Sequence, residues 1–127
     1  MRRRDAGSDP AEDVDLDGRV LVGVSNTGTG EVGSRTTFTY HEEGDVVWAE
    51  YRGGEVLRGY LVGTRSGVEL QFRYVHLGSD GRTSSGVCDS VIEVLADGRV
   101  RFRETWQWES RAGSGVSVVE ETFRSDR

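Results

Sequence analysis

Residues 28–40 read "GTGEVGSRTTFTY", and the reading of this stretch decides the fold. Its first half spells the G-x-G-x-x-G string associated with dinucleotide binding. In that role the string must follow a strand and open a helix whose N-terminus meets a pyrophosphate. Here Gly33 is followed by Ser34-Arg35-Thr36-Thr37-Phe38-Thr39-Tyr40, a β-branched and aromatic run of period two. Such a run is a strand, not a helix. "GTGEVG" is therefore expected to be a hairpin connection whose glycines supply positive φ, and a nucleotide cofactor is not expected.

The same alternation recurs along the chain. β-rich runs cover residues 19–26, 34–41, 46–52, 55–63, 68–77, 84–95, 100–109 and 116–124, separated by Gly/Asp punctuation. Gly53-Gly54, Asp80-Gly81 and Asp97-Gly98 are strong signals for tight turns. No stretch sustains a helical apolar period. The expected fold is all-β, an eight-stranded antiparallel up-and-down barrel, because closure removes exposed strand edges. A two-sheet β-sandwich is the alternative.

Residues 1–17, "MRRRDAGSDPAEDVDLD", hold the one proline and little to bury, so they are read as a solvated tail before a single barrel domain over 18–127. The net charge of −6 is spread with signs interleaved, and all sixteen basic residues are arginine. Without a basic stripe, a nucleic-acid partner is not expected. The Arg2-Arg3-Arg4 start lacks a following apolar segment, and no run is long enough to span a membrane. A cytoplasmic protein is expected, with a homodimer left open. The single cysteine, Cys88, is read as a small buried residue before it is read as a nucleophile.

Splitting each run into faces brings out charges among apolar side chains: Glu50, Arg58, Glu104 and, more weakly, His76. An ion inside a barrel is costly unless paired. Two readings stay open: the charges satisfy one another and fix register, or they are the orienting groups of an aromatic cavity. Glu50 and Arg58 flank the Gly53-Gly54 turn, and an ion pair near one mouth is expected if the hairpin brings them level. The cavity reading places Tyr40, Trp48, Glu50, Arg58, Tyr60, Phe72, Tyr74, His76, Glu104, Trp106 and Trp108 around a small ligand. Trp106 and Trp108, two apart, would form an aromatic wall. His41 and His76 sit on different runs without ligand spacing, so no metal site is expected.

The strings "VWAEY" (47–51), "GGEVLRGYLVG" (53–63), "GVCDS" (86–90), "DGRVRFRETWQW" (97–108) and "SGVSVVEE" (114–121) carry a resemblance. In them the chain resembles a group of small bacterial proteins that often bear the name N-acetylglutamate synthase. That resemblance implies a compact barrel of calycin or lipocalin-like kind. Acetyl transfer is not expected from the residues themselves. Acetyl-CoA binding needs a Gly loop at a helix N-terminus, whereas Arg111-Ala112-Gly113-Ser114-Gly115 leads into a strand. The leading expectation is non-enzymatic binding of a small, partly apolar molecule. The alternatives are a cofactor-free cyclase, isomerase or lyase using Glu104 or Glu50, and a purely structural or interaction module.

Overall fold

In the computed structural model, which describes residues 9–123, eight strands close into one ring. They are β1 (Val20–Asn26), β2 (Thr37–Glu43), β3 (Val46–Gly53), β4 (Val56–Ser66), β5 (Glu69–Gly78), β6 (Thr83–Val94), β7 (Val100–Trp108) and β8 (Ser114–Glu121). Each strand pairs antiparallel with its sequence neighbours, and β1 closes the ring on β8. The sandwich alternative is thereby excluded. No helix among the described residues is long and apolar enough to cross a membrane.

Alternation in the sequence becomes alternation across the wall. Along β7, Val100, Phe102, Glu104, Trp106 and Trp108 point inward, while Arg103, Thr105 and Gln107 face out. The tight turns take the positive φ expected of them at Gly53, Gly54, Gly81 and Gly98. Between β1 and β2, by contrast, the chain runs ten residues, and of the three glycines in "GTGEVG" Gly28 alone has positive φ. Gly30 is required for another reason: a Cβ there would collide with the Asn26 side chain.

The two ends of the barrel are built differently. The turns β2–β3, β4–β5 and β6–β7 lie at one end, which is covered by the segment preceding β1. Asp9 caps a single 3-10 turn, Pro10–Glu12, by accepting from the Ala11 amide at 2.9 Å. Ala11 and Leu16 are fully buried. The Arg65 guanidinium holds this segment, donating to the Ala11 and Val14 carbonyls at 2.8 and 2.7 Å and to both Glu42 oxygens at 3.0 Å. Residues 1–8 of the expected tail lie outside the described residues. Residues 9–17 are not a solvated tail, because two apolar side chains and one arginine suffice to dock them. The other end carries the β1–β2, β3–β4, β5–β6 and β7–β8 connections and is the mouth.

Candidate functional site

The mouth leads to an interior cavity with about 50 Å³ open to the centres of water molecules. One water needs roughly 10–15 Å³ by that measure, so the barrel is not filled solid by its own side chains. The walls come from several strands: Phe38, Tyr51, Leu61, Phe72, Tyr74, Trp106 and Trp108 supply the apolar surface. Trp106 and Trp108 lie 5.5 Å apart between ring centroids, and Trp108 meets Tyr74 edge-on at 5.8 Å. The aromatic wall expected of the two tryptophans is thus present.

These rings fit because the facing strands present glycine. Tyr51 is opposite Gly59 and Tyr74 is opposite Gly86 in the strand register. A Cβ at either glycine would collide with the tyrosine across from it. The indole N–H groups are satisfied by the end of β1 and the connection after it: Trp106 Nε1 donates to Asn26 Oδ1 at 2.8 Å and Trp108 Nε1 to Thr29 Oγ1 at 2.9 Å.

Within the wall sits one buried carboxyl. Register places Ser90 of β6 and Ser117 of β8 on either side of Glu104. The Ser90 hydroxyl donates to one Glu104 oxygen at 2.8 Å and the Ser117 hydroxyl to the other at 3.1 Å. Burial raises the Glu104 pKa from 4.5 to about 7, against the lowering effect of those two hydrogen bonds. A carboxyl in this state exchanges a proton near neutrality. Each oxygen also keeps a lone pair for a further donor.

At the mouth a second polar assembly joins β3, β5, β6 and the β1–β2 and β7–β8 connections. The buried Tyr51 hydroxyl lies 2.9 Å from His76 Nδ1, and His76 Nε2 lies 2.8 Å from Glu31 Oε1. With Nε2–H donating to the carboxylate, Nδ1 is the position that accepts from the Tyr51 hydroxyl. The other Glu31 oxygen accepts from Arg111 Nη2 at 2.9 Å. Arg111 in turn donates to the Ser84 hydroxyl and lies over the Trp108 ring, 4.2 Å from its centroid. Burial pushes the Tyr51 phenol well above its usual range, so it stays a donor.

Of the residues expected around the cavity, Phe72, Tyr74, His76, Glu104, Trp106 and Trp108 line it. Tyr40 points inward but packs beyond it, edge-on to Phe102 at 5.1 Å; its hydroxyl is the one buried side-chain polar atom among the described residues without a hydrogen-bond partner. Trp48, Glu50, Arg58 and Tyr60 do not belong to the cavity. On β3 the inward side chains are Val47, Ala49 and Tyr51. Trp48 therefore lies on the outer wall, stacked on His41 at 5.4 Å, with Glu50 accepting from His41 Nε2 at 3.0 Å. Glu50 is level with Tyr60 rather than Arg58, so the expected ion pair is not formed. On β4 a bulge between Val56 and Arg58 turns Leu57, Arg58 and Tyr60 outward. Cys88 is buried, and burial drives its thiol far above the thiolate range, against a nucleophilic role.

The functional residues missed by sequence reasoning are Asn26, Glu31, Tyr51, Ser90, Arg111 and Ser117. Ser90 and Ser117 carried a signal: counting register outward from Glu104 leads to both. Glu31 and Arg111 sit in connections, where no periodicity aims a side chain.

The chain matches the family model described as avidin-like protein over residues 14–122, a span containing all eight strands. No curated protein and no solved structure matches it. With the closed ring and the match agreeing in extent, this chain belongs to the avidin-like proteins, with a calycin-type barrel.

Proposed function

We propose that the barrel binds a small, partly apolar molecule through its mouth, with a flat ring among Phe72, Tyr74, Trp106 and Trp108. A hydroxyl or N–H group of the ligand donates to Glu104. The observation carrying this reading is the buried Glu104 carboxyl facing an unfilled aromatic cavity. Apolar walls with a few placed polar groups are the usual makeup of a ligand site. A carboxyl serving stability alone is a poor use of such a position, since burying it costs more than an apolar residue of like size. Family membership supports the same reading at the level of fold, and Glu104 narrows the ligand to a donor.

Calorimetric titration with benzyl alcohol and 2-aminopyridine tests it. Wild-type protein is expected to bind both, and Leu61→Trp, which fills the cavity, neither. Absence of binding by the wild type, or equal binding by the filled variant, contradicts the proposal. A second reading, proton transfer to or from the bound molecule, is favoured by the Glu104 pKa of about 7. Glu104→Gln that retains ligand but loses turnover would support it; unchanged turnover in that variant would remove Glu104 from the chemistry.

A further inference from the structure

Charge on the outer wall is distributed unevenly. Among the described residues, the side chains of Arg35, Arg52 and Arg58 have neither a carboxylate nor a hydrogen-bond partner, whereas every other arginine holds a carboxylate within 3.5 Å. The three without one lie together. Arg52 follows Tyr51 on β3 and Arg58 precedes Gly59 on β4, and Tyr51 and Gly59 are opposite each other in the ladder. The Arg35 carbonyl packs so closely on Gly53 that a Cβ there would collide with it. All three line one groove on the outside of the β3–β4 hairpin, where they are exposed. Like charges on neighbouring strands repel, and a fold that pairs its other described arginines leaves these without a counter-ion.

The groove continues into an apolar strip, with Glu50 and Tyr60 bordering both. Across the ladder Trp48 is opposite Val62 and Tyr60 is opposite Val75. Leu57, Tyr60, Val62 and Val75 are 46–59% exposed, so adjoining strands leave a run of large side chains in water. Tyrosine, tryptophan and arginine are the residue types that dominate protein–protein contacts. The closed ring has no free strand edge on which a partner could add a strand. Contact at this wall therefore runs through side chains.

The charges decide the occupant. A twofold contact with a second copy centred here would set arginines against arginines. A nucleic acid or an anionic membrane spreads its charge widely, and beyond the groove it would meet Glu50 and Glu109 in a chain of net charge −6. A small free anion would use the arginines and leave the strip bare. We propose that this face docks a partner protein through a segment carrying carboxylates beside apolar side chains. The carboxylates lie on Arg35, Arg52 and Arg58, and the apolar groups cover Tyr60, Val62 and Val75. Guanidinium forks take carboxylates two bonds at a time, so the charged end fixes the register and the strip supplies the area. Because the net charge repels an acidic partner elsewhere, the arginines also choose the face. This face is separate from the cavity and docks its partner whether or not the cavity is occupied.

A short synthetic peptide of aspartates followed by leucine and phenylalanine is the probe, and the same peptide with asparagine in place of aspartate is its control. In calorimetric titration, wild type is expected to bind the acidic peptide roughly tenfold or more tighter than the control, with an affinity that falls as salt rises. Arg52→Glu/Arg58→Glu is expected to lose both the preference and the salt dependence. That variant should still unfold in urea at the wild-type midpoint or above, since neither arginine has a partner to lose. In isotopically labelled protein the acidic peptide is expected to move the Trp48 indole N–H resonance and leave those of Trp106 and Trp108 in place. Equal binding of the two peptides, an unchanged preference in the charge-reversed variant, or binding of neither peptide overturns the proposal. Sedimentation showing wild type alone self-associating through this face, or phosphatidylglycerol vesicles binding wild type and not the variant, would assign the face to a second copy or to a membrane and equally overturn it.

Discussion

Both ends of the barrel are fastened by an arginine and a glutamate, yet the two fastenings differ in what they do. At the covered end Arg65 and Glu42 are part-buried, with side chains 8% and 13% exposed, and the arginine also donates to main-chain carbonyls of the segment it holds. Glu42 additionally accepts from the Leu16 amide at 2.9 Å. The groups there belong to β2, β4 and the docked segment. At the mouth, Arg111 and Glu31 are 26% and 19% exposed, and the carboxylate sits on a glycine-flanked loop. An arginine–glutamate pair is thus present at each end, more deeply set at the covered end than at the mouth. What separates them is what else holds the pair: main-chain groups of the docked segment at the covered end, and the single side chain of His76 at the mouth.

Arg65→Met sharpens that contrast most. It strands a largely enclosed Glu42 and several carbonyls, and breaking such a pair costs about 3–5 kcal/mol. Urea unfolding is expected to register a loss of that size, with little change at the mouth. Next in size is a pH effect inside the cavity. The Glu104 pKa is raised from 4.5 to about 7, so the folded state holds a proton that the unfolded chain has released. Stability is therefore whole below about pH 4.5 and falls as pH rises through 7, by on the order of 3 kcal/mol in total. Unfolding free energies at pH 5 and pH 8 should differ more for wild type than for Glu104→Gln. An equal slope in both would mean the carboxyl is better hydrated than its burial implies. Smallest is Glu31→Ala, expected to cost about 1–2 kcal/mol, because part-exposed Arg111 reaches water while the buried His76 Nε2–H loses its acceptor. A loss rivalling that of Arg65→Met would erase the distinction between the two ends.

The ring of eight strands was legible because turn chemistry and period-two patterning agree along most of the chain. Which face turned inward was legible only where one face was plainly apolar, as in β5 and β7. In β3 both faces carry an aromatic, Trp48 on one and Tyr51 on the other, and the larger ring was the wrong guide. The inward choice is made across the ladder, where the missing Cβ of Gly59 leaves room for the Tyr51 ring. In β4 the bulge after Val56 shifts the phase by one residue, which sends Arg58 and Tyr60 outward. The docked segment before β1 was hidden by its charge, since two buried side chains, Ala11 and Leu16, scarcely alter its composition. Glu31 and Arg111 were invisible for a further reason: their meeting depends on where two connections, of ten and five residues, fold at the mouth.

The claim on which the functional account depends is that small molecules enter the barrel rather than settle on its outer wall. The three tryptophans provide the control, because Trp106 and Trp108 line the cavity and Trp48 lies outside on the exposed face of β3. Titration of isotopically labelled protein with 2-aminopyridine, followed by the indole N–H resonances, reads all three at once. The account predicts that the Trp106 and Trp108 signals move together and saturate while Trp48 stays fixed. Movement of Trp48 alone, or of none, contradicts it.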